Sequence, residues 1–120
     1  MGQDAGHDMK ARMRADLRAA MKEGRGGDAK LIRTLIAAIY NAEAPPARSG
    51  SGAAEQHRFL SGSAEVERLS LDADRVEAIL LAEIGEREQA AAEMDRLDRP
   101  DRATAIRTEA RLAATYLSQS

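Results

Sequence analysis

The most regular pattern of apolar and polar positions lies between residues 30 and 43, in the sequence KLIRTLIAAIYNAE. At about 100° per residue, the apolar side chains fall within one arc of roughly 160° on a helix. An arc of this width predicts an amphipathic helix with its apolar side in a core. The inward set is Leu31, Ile32, Leu35, Ile36, Ala38, Ile39 and Ala42, and the outward set is Lys30, Arg33, Ala37, Tyr40 and Asn41.

The same periodicity predicts three further helices, so that the chain contains four, over residues 9–23, 29–43, 73–97 and 101–117. Short connections make neighbouring helices antiparallel. The fold class expected from the sequence is therefore all-α, a four-helix bundle of two antiparallel helical hairpins joined by a long loop.

Helix ends are marked by capping residues and by residues that interrupt helices. Asp8, Asp28 and Asp72 are suited to be N-caps, since a carboxylate accepts from the free N–H groups of a first turn. Gly24 begins the tight turn after the first helix, and Pro45 and its neighbouring proline end the second. Residues 1–8 have no periodicity and are expected to form a flexible tail, as are residues 118–120.

The segment 44–71 is rich in Gly, Ser and Ala and predicts a long loop. Two places in it carry larger side chains. The first, with His57, Phe59 and Leu60, is expected to dock a single helical turn on the bundle. The second, with Val66, Leu69 and Leu71, is expected to pack a short turn or extended segment on the core.

Two residues of the third helix indicate contacts with other side chains or with another helix. Arg87 interrupts the apolar stripe, and either Glu83, at the i, i+4 spacing, or a residue of another helix is expected to pair with it. Gly85 costs about 0.8 to 1 kcal/mol relative to Ala in a helix. We therefore expect another backbone to approach Gly85, with Ala38 or Ala42 as the partner.

The first helix combines an apolar stripe with a row of cations. The stripe is Met9, Met13, Leu17, Ala20 and Met21, and the row is Lys10, Arg14, Arg18 and Lys22. At 1.5 Å per residue the row spans roughly 18 Å. It is suited to an anionic partner, but periodicity alone favours a solvated face whose long stems cover apolar edges.

Charge is divided unevenly along the chain although the net charge is only −2. Residues 9–43 carry eight Lys and Arg against four acids, whereas residues 44–120 carry ten Arg against fourteen acids. The basic first part either meets an external anion or attracts the acidic second part within the fold.

Composition limits the remaining chemistry. A chain of 120 residues forms one domain, and an aromatic content of 2% requires an aliphatic core. The chain has no Cys and only two separated His, so we expect no disulfide, no metal site and no cofactor. The sequence has no apolar run long enough to cross a membrane and no signal-peptide pattern, which predicts a soluble, cytoplasmic protein.

The order of short motifs resembles the GatB/YqeY-like family. Residues 33–43 match its R-x-L-x-x-A-I-x-N-x-E segment, and residues 83–88 are similar to its E-I-x-x-R segment. Residues 71–76, 97–102 and 113–117 resemble its helix-opening motif, its turn and its L-x-x-Y-L ending. The resemblance is to a short form, expected to lack the second small helical subdomain of longer family members and to have a longer loop after the second helix.

The resemblance implies a helical module similar to the tail of the B subunit of tRNA-dependent amidotransferases, which contacts tRNA while catalysis lies elsewhere. The first hypothesis is thus an accessory module that binds tRNA or another RNA. Its binding residues would be Lys10, Arg14, Arg18, Lys22, Lys30, Arg33, Tyr40 and Asn41.

The alternative is a protein interaction module that docks on an amidotransferase or another protein. Carbon–nitrogen ligase activity is implied by the family name only, since the sequence offers no nucleophile with a base.

Overall fold

A computed structural model describes residues 4–45 and 68–117. Within them, the chain forms four α-helices and no strand: α1 (Ala5–Lys22), α2 (Gly26–Ala42), α3 (Ala73–Arg96) and α4 (Pro100–Thr115). Contacts between Lys10 and Glu43 and between Met21 and Arg33 show that α1 and α2 are antiparallel. The α3–α4 pair is antiparallel too. The predicted all-α fold of two helical hairpins is confirmed.

Several predictions fall outside the described residues. They are the tail residues 1–3 and 118–120, most of the predicted loop, the docking turn at His57, Phe59 and Leu60, and the position of Val66. Of the loop residues that are described, Leu71 is buried as predicted, whereas Leu69 is 46% exposed and does not pack on the core.

The main core is built around α2. Leu31, Ile32, Leu35 and Ile39 are at most 3% exposed, which confirms the inward arc predicted for this helix. They belong to one apolar cluster with side chains of α1, the start of α3 and the end of α4. A second apolar cluster is formed by α3 and α4 alone, around Ala91, Ala103 and Ile106.

Helices α1 and α2 begin earlier in the chain than predicted, before the expected N-caps Asp8 and Asp28. Helix α1 starts at Ala5, where the Asp4 carboxylate accepts a hydrogen bond from the His7 N–H at 3.0 Å. Part of the predicted tail is therefore helical, and Asp8 lies in the first turn of α1. Asp28 likewise lies in the first turn of α2, where its negative charge is favourable. Asp72 is the N-cap of α3 as predicted.

The two hairpin turns use the same backbone motif. After α1, Gly24 has a φ of 74°, and the Arg25 N–H donates to the Ala20 carbonyl at 2.8 Å. After α3, Asp98 has a φ of 60°, and the Arg99 N–H donates to a carbonyl one turn back. Both are left-handed C-caps, which satisfy helix carbonyls that would otherwise lack donors.

The end of α4 is fixed to α1 by one aromatic side chain. The Tyr116 hydroxyl donates to Oδ2 of Asp16 at 2.6 Å, and the Arg12 guanidinium lies 4.8 Å from the ring centroid. Burial, together with the hydrogen bond to Asp16, raises the pKa of the Tyr116 phenol above its ordinary value. The phenol therefore remains a donor to Asp16 at neutral pH.

Arg87, the polar residue in the apolar stripe of α3, pairs both with Glu83 and with a residue of another helix. Arg87 Nη1 lies 2.9 Å from Oε1 of Glu83, which confirms the i, i+4 pair, and its Nε lies 3.3 Å from Glu109 of α4. The prediction for Gly85 is wrong, because beyond its chain neighbours and the backbone of its own helix no described residue has an atom within 4 Å of the position of its missing Cβ.

Gly85→Ala should therefore stabilise the protein, since it removes the helix penalty of glycine without creating a clash. We expect a gain of about 0.8 kcal/mol in the free energy of unfolding. For a domain of this size that corresponds to a rise in Tm of about 3 °C. Thermal unfolding followed by circular dichroism measures it.

Gly24→Ala is the matched control, since it makes the same chemical change at a residue with a φ of 74°. The left-handed conformation costs an L-residue about 1 kcal/mol, so this variant should unfold at a lower temperature than the wild type. A loss of stability in Gly85→Ala would contradict the open space described around that residue.

Candidate functional site

The cations of α1 that were predicted to bind a partner are divided by the fold. Arg14, Arg18 and Lys22 are exposed, and none of them forms an ion pair with a residue in 4–45 or 68–117. Residues four apart on a helix are rotated by about 40° from one another. Arg14 and Arg18 therefore flank the seam with α2, whereas Lys22 is turned further from it.

Helix α2 presents its polar side outward as the sequence predicted. Lys30, Arg33 and Asn41 are exposed, Ala37 between them is exposed as well, and Tyr40 is 50% exposed. The inward arc of α2 fixes this orientation, because the opposite side of a helix with a buried apolar stripe must face away from the core.

Two contacts show that the exposed sides of α1 and α2 adjoin. Arg33 Nη2 lies 3.4 Å from Sδ of Met21, and Lys10 Nζ lies 5.4 Å from the centroid of the Tyr40 ring. Between these contacts the two helices run side by side, with Arg14 on one and Ala37 on the other. We call this surface the basic face. It consists of Arg14, Arg18, Lys22, Lys30 and Arg33, with Tyr40 and Asn41 at one end.

Lys10 was predicted to be part of this surface, and that placement is wrong. It is 6% exposed, and its Nζ lies 2.5 Å from Oε1 of Glu43, which is 3% exposed. The segment 68–71 lies against this pair. The Gly6 N–H donates to the Leu71 carbonyl at 3.2 Å, and the Leu69 N–H donates to the Glu43 carbonyl at 2.8 Å.

Gly6 is part of the reason that the pair fits. A Cβ at this position would lie 3.0 Å from Oε2 of Glu43 and 3.2 Å from Cβ of Leu71. The absence of a side chain therefore lets α1 pass close to the end of α2. The signal in the sequence was the placement of Lys10 and Glu43 at facing ends of an antiparallel hairpin.

Tyr40 is exposed but its ring already has partners. The Arg68 guanidinium lies 3.6 Å from the ring centroid, and Arg68 Nη2 donates to the Tyr40 carbonyl at 3.4 Å. Stacked geometry of this kind contributes on the order of 0.5 to 1 kcal/mol at an exposed site. Arg68, which the sequence did not single out, therefore adds a planar cation at this end of the basic face.

The acids of the first hairpin do not neutralise the basic face. Arg25 pairs with Glu23 at 2.8 Å and with Asp28 at 2.7 Å. Glu43 is held by Lys10, and Asp16 accepts from the hydroxyl of a tyrosine in α4. Across the described ranges, no Lys or Arg of residues 9–43 pairs with an acid of residues 68–117. The ion pair that joins the two parts, Arg68 with Glu43 at 3.7 Å, has the opposite sense, since its cation belongs to the acidic part. Attraction of the basic part to acids of the second part is therefore not seen among these ion pairs.

Met21 adds an apolar group to the basic face. It was predicted to lie in the buried stripe of α1, but it is 56% exposed beside Arg33. The stripe is otherwise inward, with Met13 and Ala20 fully buried and Met9 and Leu17 packed at the edge of the core.

The described residues offer neither of two other kinds of site. No three His, Asp or Glu side chains in residues 4–45 and 68–117 converge as metal ligands. None of the helices in the same ranges combines the length and hydropathy that a bilayer-spanning segment needs. The groups on the basic face are cations, an aromatic ring, an amide and a thioether, which can pair with anions, stack and form hydrogen bonds.

Comparison of this chain with protein-family models, with curated proteins and with solved structures gave no match.

The buried ion pair makes a stability prediction. Lys10→Met leaves the Glu43 carboxylate buried, and within the described residues the cation that remains near it is the partly exposed Arg68 at 3.7 Å. Removing one partner of a buried pair costs about 3 kcal/mol, whereas replacing both by apolar groups is often nearly neutral. In urea unfolding, we therefore expect the double variant Lys10→Met, Glu43→Met to recover most of the stability lost by the single variant.

Arg14→Met is the control, because it makes a similar change one turn away at an exposed, unpaired position. Substitutions of this kind change stability by about 0.5 kcal/mol or less. Equal effects of Lys10→Met and Arg14→Met would show that the pair contributes nothing in solution.

Proposed function

We propose that this protein is a non-catalytic module that binds RNA, tRNA in the first place, through the basic face of α1 and α2. The observation that supports this proposal most directly is the lack of acidic partners for the exposed cations of the face within the described ranges. Free Lys and Arg side chains pair with phosphates and release counterions, which supplies most of the affinity of sequence-independent binding.

The arrangement of the cations suits a phosphate backbone. They lie on the exposed sides of the adjacent helices α1 and α2, so that a chain of phosphates can contact several of them at once. The side chains at one end, Tyr40 with Arg68 stacked on it and Asn41, suit an unpaired base. Proteins recognise such bases by stacking them on aromatic rings or guanidinium planes and by hydrogen bonds to their edges.

The family resemblance supports the same proposal. The segment that resembles the R-x-L-x-x-A-I-x-N-x-E motif contributes Arg33 and Asn41 to the basic face, and both are exposed. We therefore propose a relationship to the GatB/YqeY-like family, in which the corresponding helical tail contacts tRNA. The Glu at the end of this segment is Glu43, which is buried and does not belong to the basic face. It pairs with Lys10 inside the hairpin.

One observation favours the protein interaction module as the second candidate. Met21 and Tyr40 are each at least half exposed on the basic face, and apolar area of this kind would be covered by a protein partner. An acidic protein would then take the place of RNA on the same residues.

Salt-dependent binding of bulk tRNA tests the first candidate. If all five cations of the basic face contact phosphates, log K should fall with log salt with a slope of about −3.5. Raising the salt from 50 to 200 mM would then weaken binding on the order of 100-fold. Filter binding at several salt concentrations measures this slope, and a lack of binding at the lowest salt would overturn the proposal.

Charge reversal locates the surface. The variant Arg14→Glu, Arg18→Glu, Arg33→Glu should weaken tRNA binding by at least about tenfold, because three phosphate contacts become repulsive. The matched control is Arg99→Glu, Arg102→Glu, Arg111→Glu, which changes the net charge equally at exposed arginines outside the basic face. Circular dichroism confirms that both remain helical, and equal losses would show a non-specific charge effect.

The same pair of variants separates the two candidates. A complex recovered from nuclease-treated extract that is lost in the triple variant but kept in the control would favour a protein partner at this surface. Association that disappears on nuclease treatment would favour RNA.

A further inference from the structure

A second surface lies on the other side of α1, where a groove runs between α1 and α3 beside the end of α4. Its volume is about 750 Å³. Its base is apolar, since Val76, Leu80 and Tyr116 are at most 4% exposed and Met9 and Leu117 are partly exposed along it. Arg12 and Arg14 are rotated by roughly 160° from each other on α1. On α1, the groove therefore lies opposite Arg14, a cation of the basic face beside the seam with α2.

The rim of the groove is acidic. Asp8, Asp74 and Glu77 line it, all three are exposed, and their side chains form no ion pair within residues 4–45 and 68–117. The cation among the lining residues, Arg12, is stacked over the Tyr116 ring. Asp8 and Asp74 also favour the first turns of their helices, but Glu77 lies one turn later and gains little from that position.

The walls of the groove suit a helix. They are formed by α1 and α3, so that a third helix can pack between them at the usual separation of about 8 to 10 Å. Amphipathic helices bind such grooves with apolar side chains at i, i+3 or i+4 and i+7, and the rim selects the flanking charges.

We propose that this groove binds an amphipathic helix of a partner protein, with apolar side chains that enter between α1 and α3 and Lys or Arg side chains that meet Asp8, Asp74 and Glu77. Charge complementarity determines the choice of partner, since an acidic rim repels an acidic helix and attracts a basic one. This site is independent of the RNA proposal because it uses none of the residues of the basic face.

The test uses two synthetic helices and the full chain. Each is a fluorescein-labelled peptide of about four turns with leucines at i, i+3, i+4 and i+7, and the flanking positions are Lys in one and Glu in the other. In fluorescence anisotropy at physiological salt, the Lys-flanked peptide should bind at least about tenfold more tightly. Equal binding of the two peptides would overturn the proposal.

Two variants locate the peptide. Ala73→Trp fills the groove from an exposed position at its edge, and Glu77→Lys reverses one charge of its rim. Each should weaken binding of the Lys-flanked peptide by about tenfold, which corresponds to 1.4 kcal/mol. Glu86→Lys is the matched control, because Glu86 is exposed on the opposite side of α3, and it should change the affinity by less than about twofold.

A loss in Glu86→Lys equal to that in Glu77→Lys would show general attraction to an acidic protein and overturn the proposal. Self-association that both groove variants abolish, measured by sedimentation, would assign the groove to a second copy of this chain and overturn it as well. The affinity of Ala73→Trp for bulk tRNA should equal that of the wild type. This measurement therefore distinguishes a failure of the groove proposal from a failure of the RNA-binding proposal.

Discussion

Burial of the aliphatic side of α2 is the constraint on which the rest of the structure depends. The chain has almost no aromatic residues, so Leu31, Ile32, Leu35 and Ile39 provide much of the large buried side-chain volume. Full burial of one such side chain contributes about 1.5 to 3 kcal/mol, and these four lie on one helix. Once they face the core, the rotation of α2 is fixed and its polar residues must be outside.

The ion pair at the end of the first hairpin completes this arrangement. Lys10 and Glu43 join the two helices at the point where the chain leaves α2 and where residues 68–71 return to it. A buried pair costs desolvation and adds little net stability, but an unpaired partner is strongly unfavourable. The pair therefore favours one registration of α1 against α2, and with it the juxtaposition of their exposed sides.

Lys10 and Met21 show where prediction of burial from helical periodicity fails. The two residues are three turns apart and lie in nearly the same direction on α1. A helical wheel cannot distinguish them except by polarity, and it predicts an exposed Lys10 and a buried Met21. The structure has the reverse, because residues 68–71 cover the hairpin at one end only. Coverage by a distant segment is not encoded in the local period.

Features that depend on period alone were predictable. The four helices, the inward arc of α2 and the outward position of Arg33, Tyr40 and Asn41 all follow from spacing. The stacking of Arg68 on Tyr40 did not, because it joins residues on the two sides of a long chain segment. The prediction for Gly85 fails for another reason: the energetic cost of a glycine in a helix does not by itself indicate a close contact, and the fold makes none there.

Local pairing explains how a chain with a net charge of −2 presents a cationic surface. Four acids of the first hairpin, Asp16, Glu23, Asp28 and Glu43, are held by Arg25, Lys10 and a tyrosine hydroxyl. The three acids at the groove form no ion pair within the described ranges. Arg14 of the basic face and the groove are separated by the diameter of α1, about 10 to 12 Å. The Debye length is about 8 Å at physiological ionic strength, so each surface is largely screened from the other there. Near 0.01 M salt it is about 30 Å, and an anion bound on one side would then favour a cation on the other.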